Sequence, residues 1–273
     1  VLANGRNMLD VPAQQKRTVK LDGFRMPEDT KGEVVLNLDF VLKQGEPMLD
    51  AGYAVAREQF VLNAYQFPTM ESVMAACPDR KGVQKVAKEE QEACVTLTAG
   101  PTSVTFNRWT GWIDYLDVDG RPMLEEGYAV TPDFWRAPTD NDYGANAQRN
   151  LRAWKNPELK LKSFDVKWSE KDSEKHVVAV YDMPSVDAVL TMTYTLTAAG
   201  ELVVSEDMKV NKDAKHKPEL MRFGMQIVMP GEFGRLTYYG KGPGENYADR
   251  HDGDRLGRYD AAVADQYWGY VRP

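Results

Sequence analysis

Apolar and polar residues alternate with a period of two along much of the chain, which is the pattern of β-strands that bury one face. In the segment EVVLNLDFVL, the polar residues Glu33, Asn37 and Asp39 lie opposite an apolar face. That face carries Val34, Leu36, Leu38, Phe40 and Leu42. The segment LMRFGMQIVM has a similar apolar face, made of Met221, Phe223, Met225, Ile227 and Met229. Both segments are therefore predicted to be strands.

Short turn signals between alternating segments predict antiparallel hairpins. The turn TAAG, Thr197–Gly200, separates VLTMTYTL from ELVVSEDMKV. Asp119-Gly120 lies in GWIDYLDVDGRPM, after the strand SVTFNRW, and its glycine permits the positive φ of a tight turn. DVDG also resembles the start of a calcium loop, but the bidentate acid of such a loop does not follow, so a hairpin is favoured. One short helix is predicted, over ANAQRNLRAWK, and the fold class is all-β, with antiparallel sandwiches.

Composition and charge limit the partners. The 273 residues include 34 Lys and Arg against 41 Asp and Glu, a formal net charge of −7. This sign opposes attraction to phosphate backbones and anionic lipid, so neither nucleic acid nor a membrane is expected as a partner. Cys77 and Cys94 are too few for a disulfide framework. Free, buried thiols are the expectation, although spacing leaves their pairing open.

The organisation of the chain indicates two domains. The alternating segment YAVAREQFVL ends shortly before Pro68, which interrupts strand pairing. We therefore predict domains at residues 1–65 and 66–273. An Asn-Gly turn signal comes after only three residues, and the final WGYVRP has no polar tail. Both features lead us to expect a piece of a longer polypeptide.

The segment FWRAPTDNDYGAN combines apolar anchors with polar groups and has neither helical nor strand periodicity. Phe134 and Trp135 are expected to anchor it in a core, and Pro138 to stiffen it. Side-chain oxygens and a flexible joint follow, in Asp140, Asn141, Asp142 and Gly144. Sugar hydroxyls are recognised by such donors and acceptors. The alternative, which is the more common one, is a connection whose Asp and Asn side chains bond their own backbone.

A second segment, YYGKGPGENYADR, has glycines at 240, 242 and 244 that are expected to let the backbone bend sharply. Opposite charges at Asp249 and Arg250 suggest an ion-pair network that pins the loop, a structural role rather than a catalytic one. A phosphate loop is not indicated, because the Lys-Ser/Thr pair and the following helix are missing. The histidines stand far apart, which argues against a catalytic triad or a His-rich metal site: His176, His216 and His251.

These two segments, followed by ADQYWGYVRP, closely resemble the C-terminal part of the large β-galactosidases of glycoside hydrolase family 2. VPAQQKRTVKL and GYAVAREQFVL resemble the latter half of the immunoglobulin-like domain that precedes it in that family. The resemblance implies a partial immunoglobulin-like β-sandwich followed by a large antiparallel supersandwich, similar to galactose mutarotases. It also implies that the full-length enzyme hydrolyses terminal β-D-galactosides with retention, using two glutamates. Those glutamates belong to an upstream (β/α)₈ barrel, so this chain alone is expected to lack hydrolase activity.

In this family a mobile loop lines the galactose pocket, and that loop resembles the segment from residue 140 to residue 146. The substrate-binding residues implied here are Asp140, Asn141, Asp142, Gly144 (as hinge) and Asn146. No catalytic, cofactor or metal residue is carried over. A divalent cation, sodium and a homo-oligomer are implied for the full-length enzyme, and localisation, cytoplasmic or periplasmic, is left open. Three alternatives stand beside this interpretation: an independent mutarotase-like carbohydrate-binding module, a related glycosidase acting on another β-linked sugar, and a purely structural sandwich.

Overall fold

A computed structural model describes residues 1–21, 25–26, 28, 30, 32–69, 72, 85–168, 174–214, 219–248 and 250–271. By its internal contacts the chain divides into two compact units, Val1–Phe67 and Pro68–Pro273. The boundary expected from the sequence lies two residues before this division. Among the described residues, no helix is long and apolar enough to cross a membrane.

Within its described residues, the first unit contains one antiparallel pair of strands, β1 (Val34–Val41) and β2 (Ala54–Asn63). The strand predicted over EVVLNLDFVL is confirmed. Leu38 is more shielded from solvent than Asn37, as the alternation requires, whereas Phe40 is 41% exposed. A two-stranded sheet covers only part of an apolar face, which accounts for the exposure of Phe40.

The second unit is built on two antiparallel sheets. The first has five strands in chain order: β3 (Ala87–Glu90), β4 (Cys94–Ala99), β5 (Thr102–Asn107), β6 (Ile113–Val118) and β7 (Arg121–Pro122). The second has four: β9 (Lys160–Trp168), β10 (Glu174–Met183), β11 (Ala188–Thr197) and β12 (Leu202–Val210). Two further pairs are β8 (Thr131–Asp133) with β13 (Gly224–Gln226), and β14 (Arg235–Gly242) with β15 (Arg255–Ala262). The predicted all-β class is confirmed.

The two large sheets bury a common core. Its most buried side chains come from both sheets: Val95, Leu97, Val104, Phe106 and Ile113 from the first, and Val177, Tyr181, Leu190, Met192 and Tyr194 from the second. The rings of Phe106 and Tyr194 meet edge to face, with their centroids 5.1 Å apart. Burial of each aliphatic or Phe side chain of this kind stabilises the fold by about 1.5–3 kcal/mol.

Both predicted hairpin turns are confirmed. The turn Thr197–Gly200 joins β11 to β12, and Gly200 has a φ of +85°. Asp119 and Gly120 join β6 to β7 with φ angles of 55° and 76°, as a two-residue hairpin turn requires. The Asp117 carboxylate accepts the Gly120 N–H at 2.9 Å, so the DVDG segment serves the turn.

The long strand predicted over LMRFGMQIVM is wrong, because only Gly224–Gln226 forms a strand there. Its neighbour among the described residues is the three-residue strand β8. Four of the five apolar side chains of this face are more than a third exposed: Phe223 47%, Met225 37%, Ile227 51% and Met229 43%. Alternation specifies which face is apolar, but a second layer must still cover that face for it to be buried.

Of the three glycines of YYGKGPGENYADR that were expected to let the chain bend, only Gly244 lies in a bend, directly after β14. Gly240 and Gly242 lie inside β14, and neither has a positive φ. A β-carbon on Gly242 would lie 2.8 Å from the Tyr259 ring and would also collide with the Tyr238 hydroxyl group. The missing side chain makes room for these two rings, whose centroids are 5.5 Å apart.

The predicted helix over residues 145–155 is divided into short pieces and begins earlier. The structure has α1 (Asp140–Gly144), α2 (Ala147–Asn150) and a 3₁₀ turn over Arg152–Trp154. Helical structure therefore begins inside FWRAPTDNDYGAN, which the sequence predicted to be a loop.

Cys94 has a free thiol that is only partly buried. Cys77 and His216 lie outside the described residues. Within the described part of the chain, no group of three or more His, Cys, Asp and Glu side chains is placed to hold a metal ion.

His176 bridges two neighbours on the second sheet. Its Nδ1 atom lies 2.8 Å from Thr195 Oγ1, and its Nε2 atom lies 3.3 Å from a carboxylate oxygen of Glu174. Thr195 is 5% exposed, so its hydroxyl group is not open to a substrate. The chain of hydrogen bonds therefore joins β10 to β11 and does not form a reactive site.

A glutamate on the second sheet lies on the core-facing side of its strand. Glu206 on β12 shares a strand face with Val204 and Met208, which pack against the core. Its Oε1 atom is buried and has no hydrogen-bond partner among the described residues. Burial, and then the charge of Asp133, raises the pKa of Glu206 to about 7.

We expect Glu206 to weaken the fold as the pH rises from 4.5, its ordinary pKa, to about 7. In this window the folded protein keeps a proton that the unfolded chain has released, so the contribution to stability falls with rising pH. Urea unfolding across the window should show Glu206→Gln gaining stability relative to the wild type. Asp207→Asn, on the exposed face of the same strand, is the control. If the difference in unfolding free energy between Glu206→Gln and the wild type stayed constant across the window, the raised pKa of Glu206 would be contradicted.

Candidate functional site

The helical turn α1 is fixed by the residue that precedes it. Thr139 has extended backbone angles, φ −93° and ψ 171°, and its hydroxyl accepts the Asp142 N–H at 3.4 Å. The Asp142 carboxylate in turn accepts the Thr139 N–H at 2.8 Å. This reciprocal arrangement is a capping box, which satisfies two backbone donors at a helix start. It explains why a segment without helical periodicity forms a turn of helix.

Asp142 is the buried residue of α1, and both of its carboxylate oxygens accept hydrogen bonds from protein donors. Arg136 contacts them with two nitrogens, at 2.5 and 3.0 Å, and the Thr139 hydroxyl donates at 3.1 Å. Burial opposes ionisation, but the hydrogen bonds from Arg136 and Thr139 outweigh it and hold the pKa of Asp142 below its ordinary value. Asp142 is therefore a charged anchor for α1.

Arg136 also contacts the second segment, YYGKGPGENYADR. Its Nη2 atom donates to the Tyr247 hydroxyl at 2.5 Å, and its guanidinium carbon lies 5.0 Å from the centre of the Tyr247 ring. The two residues are 111 positions apart in the sequence. One side chain thus joins the segment that carries α1 to a distant part of the chain.

A second ionic network orders the residues after Pro243. Glu245 accepts the Tyr247 N–H at 2.9 Å and pairs with Arg250 at 2.8 Å. The bond from the Tyr247 backbone is the main cause that lowers the pKa of Glu245, and the Tyr270 hydroxyl and Arg250 lower it further. The Arg250 guanidinium lies 4.3 Å from the centre of the Tyr270 ring. The predicted partner of Arg250, Asp249, is outside the described residues.

A cleft of about 250 Å³ lies where these networks meet. The lining residues come from all three segments that carry the family resemblance: Thr139, Asp140 and Asn141 from the first, Tyr247 and Arg250 from the second, and Tyr270 from the third. A β-bridge between Thr139 and Val271 brings the third segment to the start of α1. The cleft therefore combines hydroxyl, carboxylate, amide and guanidinium groups with two aromatic rings.

The structure separates the five predicted substrate-binding residues. Asp140 and Asn141 line the cleft, whereas Asp142 lies behind them, bonded to Arg136 and Thr139. Gly144 and Asn146 are exposed and are not among the lining residues. Gly144 ends α1, and Asn146 adopts a left-handed φ of 55° before α2.

Sequence reasoning missed four residues of this site, of which Thr139 lines the cleft and caps α1. The other three are Tyr247 and Tyr270, which line the cleft, and Arg136, which contacts Asp142 and Tyr247. The spacing of Thr139 and Asp142 is a recognisable capping signal. The contact between Arg136 and Tyr247 leaves no local signal, because it depends on the tertiary fold.

Comparison with known families decides the relationship. The family model described as β-galactosidase small chain matches residues 98–273, which include the whole cleft. The model described as β-galactosidase domain 4 matches residues 1–63. The chain belongs to the β-galactosidase small chain family. The resemblance inferred from the three segments is thereby confirmed.

Individual β-galactosidases are similar to this family member over most of its length. The β-galactosidase of Priestia megaterium is 31% identical over 260 residues, which cover 90% of this chain and 22% of that protein. The β-galactosidase of Lactobacillus delbrueckii subsp. bulgaricus is 30% identical over 89% of this chain and 22% of that protein. The β-galactosidase of Halalkalibacterium halodurans is 28% identical, with 96% and 25% covered. The chain thus spans about a quarter or less of the length of these relatives.

Proposed function

We propose that this chain is part of a β-galactosidase of glycoside hydrolase family 2 and forms one wall of its sugar site. The observation that carries the proposal is the cleft in which the three family segments meet. The similarity to β-galactosidases over 89–96% of the chain supports the choice of enzyme. An independent carbohydrate-binding module is less well supported, because these relatives are named as enzymes.

The lining residues suit the recognition of sugar hydroxyl groups. Asp140 accepts hydrogen bonds, and Asn141 both accepts and donates them. Tyr247 and Tyr270 add aromatic ring surface to the cleft, on which the apolar face of a pyranose can pack. Arg250 lies over the Tyr270 ring, and the Tyr247 hydroxyl accepts from Arg136, so both rings are held in place. The cleft volume of about 250 Å³ is slightly below the range of drug-sized ligand pockets, which is consistent with a single sugar ring.

We assign bond cleavage to residues outside this chain. Retaining hydrolysis needs two carboxyl groups about 5–5.5 Å apart. Of the described residues that line the cleft, only Asp140 carries a carboxylate. The chain alone should therefore hydrolyse no β-galactoside. A divalent cation, sodium and a homo-oligomer remain proposals for the longer enzyme.

The test is an assay of the full-length protein that contains this chain, beside the 273-residue chain alone. We expect the full-length protein to hydrolyse nitrophenyl β-D-galactoside, and the chain alone to be inactive. Nitrophenyl β-glucoside, β-mannoside and β-glucuronide serve as competing substrates. A clear preference for one of these three would replace galactose in the proposal. Absence of hydrolysis of all four substrates by a folded full-length protein would refute it.

Calorimetry of the chain with galactose and lactose tests the independent module. We expect dissociation constants weaker than about 1 mM, because one wall supplies few of the contacts of a complete pocket. Tighter binding would favour a module that recognises carbohydrate by itself.

A further inference from the structure

Arg136 lies between the two walls of the cleft without being one of its lining residues. On one side it holds Asp142, which anchors α1. On the other side it donates to Tyr247, which lines the opposite wall. Arg136 is thus bonded both to the residue that anchors α1 and to a residue that lines the opposite wall.

The shape of the guanidinium group suits this position. Arginine presents five donors in a planar fork, so it can bind both oxygens of one carboxylate and still reach a third acceptor. Lysine keeps the charge but offers a single nitrogen, which cannot reproduce that geometry. The Arg136 and Asp142 side chains are 23% and 11% exposed, so solvent screens the pair only partly.

We propose that Arg136 is a positioning residue that sets the distance between α1 and Tyr247, and through it the placement of Asp140 and Asn141 in the cleft. The identity of the ligand rests on the proposed function. The coupling itself is a property of this chain and can be measured without sugar.

The first measurement is amide hydrogen exchange in the sugar-free chain. The reporters are the N–H groups of Tyr143 and Ala145, which donate to the carbonyl groups of Thr139 and Asn141. In Arg136→Lys we expect these amides to exchange about tenfold faster or more, as the loss of charge-assisted hydrogen bonds predicts. The control is Arg121→Lys, since Arg121 pairs with Glu232 through one nitrogen at 3.2 Å and lies over the Phe233 ring, and none of these three residues lines the cleft.

A double-mutant cycle separates the coupling from a general loss of stability. Tyr247→Phe keeps the ring and removes only the hydroxyl group that Arg136 contacts. Its effect on exchange in α1 should be large in the wild type and small in Arg136→Lys. The control is Tyr115→Phe, which removes a hydroxyl 3.3 Å from Asp117. Its effect on exchange in α1 should be the same in the wild type and in Arg136→Lys. Additive effects of Arg136→Lys and Tyr247→Phe, or unchanged exchange in α1, would overturn the coupling.

The second measurement is KM and kcat for a β-galactoside in the full-length protein. Arg136→Lys should raise KM several-fold and lower kcat by a smaller factor, when both are measured well below the melting temperature of the variant. Faster exchange with an unchanged KM would overturn the positioning role. If the wild type hydrolyses no galactoside, the proposed function fails, and the exchange data still decide whether Arg136 couples the two walls.

Discussion

Replacing Phe134 by alanine is expected to lower the free energy of unfolding of the second unit by about 3–5 kcal/mol. The Phe134 side chain is 2% exposed. Its ring centroid lies 5.7 Å from that of Trp154 and 5.8 Å from that of Phe223. Truncation would remove these contacts and leave a cavity under the start of FWRAPTDNDYGAN. Urea unfolding at constant pH measures the loss.

The adjacent residue provides the matched control. The sequence suggested Trp135 and Phe134 alike as core anchors, but Trp135 is only partly buried. Trp135→Ala should therefore cost less than Phe134→Ala, although tryptophan is the larger side chain. The reverse order would show that the anchor has been assigned to the wrong ring.

Asp142→Asn should have the second largest effect, a loss of about 2 kcal/mol at neutral pH. The substitution removes the charge that Arg136 and Thr139 contact and leaves a partly buried guanidinium without its carboxylate. Because the folded pKa lies below the ordinary value of 3.8, this stabilisation is present above pH 3.8 and is lost as the pH falls through the folded pKa. Urea unfolding at neutral and at acid pH should show the difference between wild type and variant narrowing in acid.

An exposed ion pair shows what the burial of Asp142 adds. Asp182 pairs with Lys162 at 3.1 Å, but both side chains are about half exposed. Asp182→Asn should change stability by less than about 1 kcal/mol. If Asp142→Asn cost no more than this control, the carboxylate would not be the anchor of α1.

Local signals predicted much of the fold. Asp119-Gly120 and Gly200 need positive φ angles whatever the rest of the chain does, so their hairpins could be inferred from a few residues. The alternation that led to β1 is equally local. The apolar face of LMRFGMQIVM was misassigned, because burial depends on a second layer that a single segment cannot reveal.

The sequence could predict only part of the candidate site, because the rest depends on contacts between distant segments. The sequence singled out the segment that contains Asp140 and Asn141 as polar and anchored, and the structure places both residues along the cleft. Asp142 could not be distinguished from them by composition, since its burial follows from Arg136. The contact between Arg136 and Tyr247 joins residues 111 positions apart, and only the folded chain brings them together.

The most direct test of a sugar wall formed by this chain is the KM of the full-length protein for nitrophenyl β-D-galactoside, compared between Asn141→Ala and Asn150→Ala. Asn141 lines the cleft, whereas Asn150 is an exposed residue at the end of α2. We predict a several-fold higher KM for Asn141→Ala and a KM equal to the wild type for Asn150→Ala. Equal values for both variants and the wild type would contradict a role of the cleft in binding the sugar.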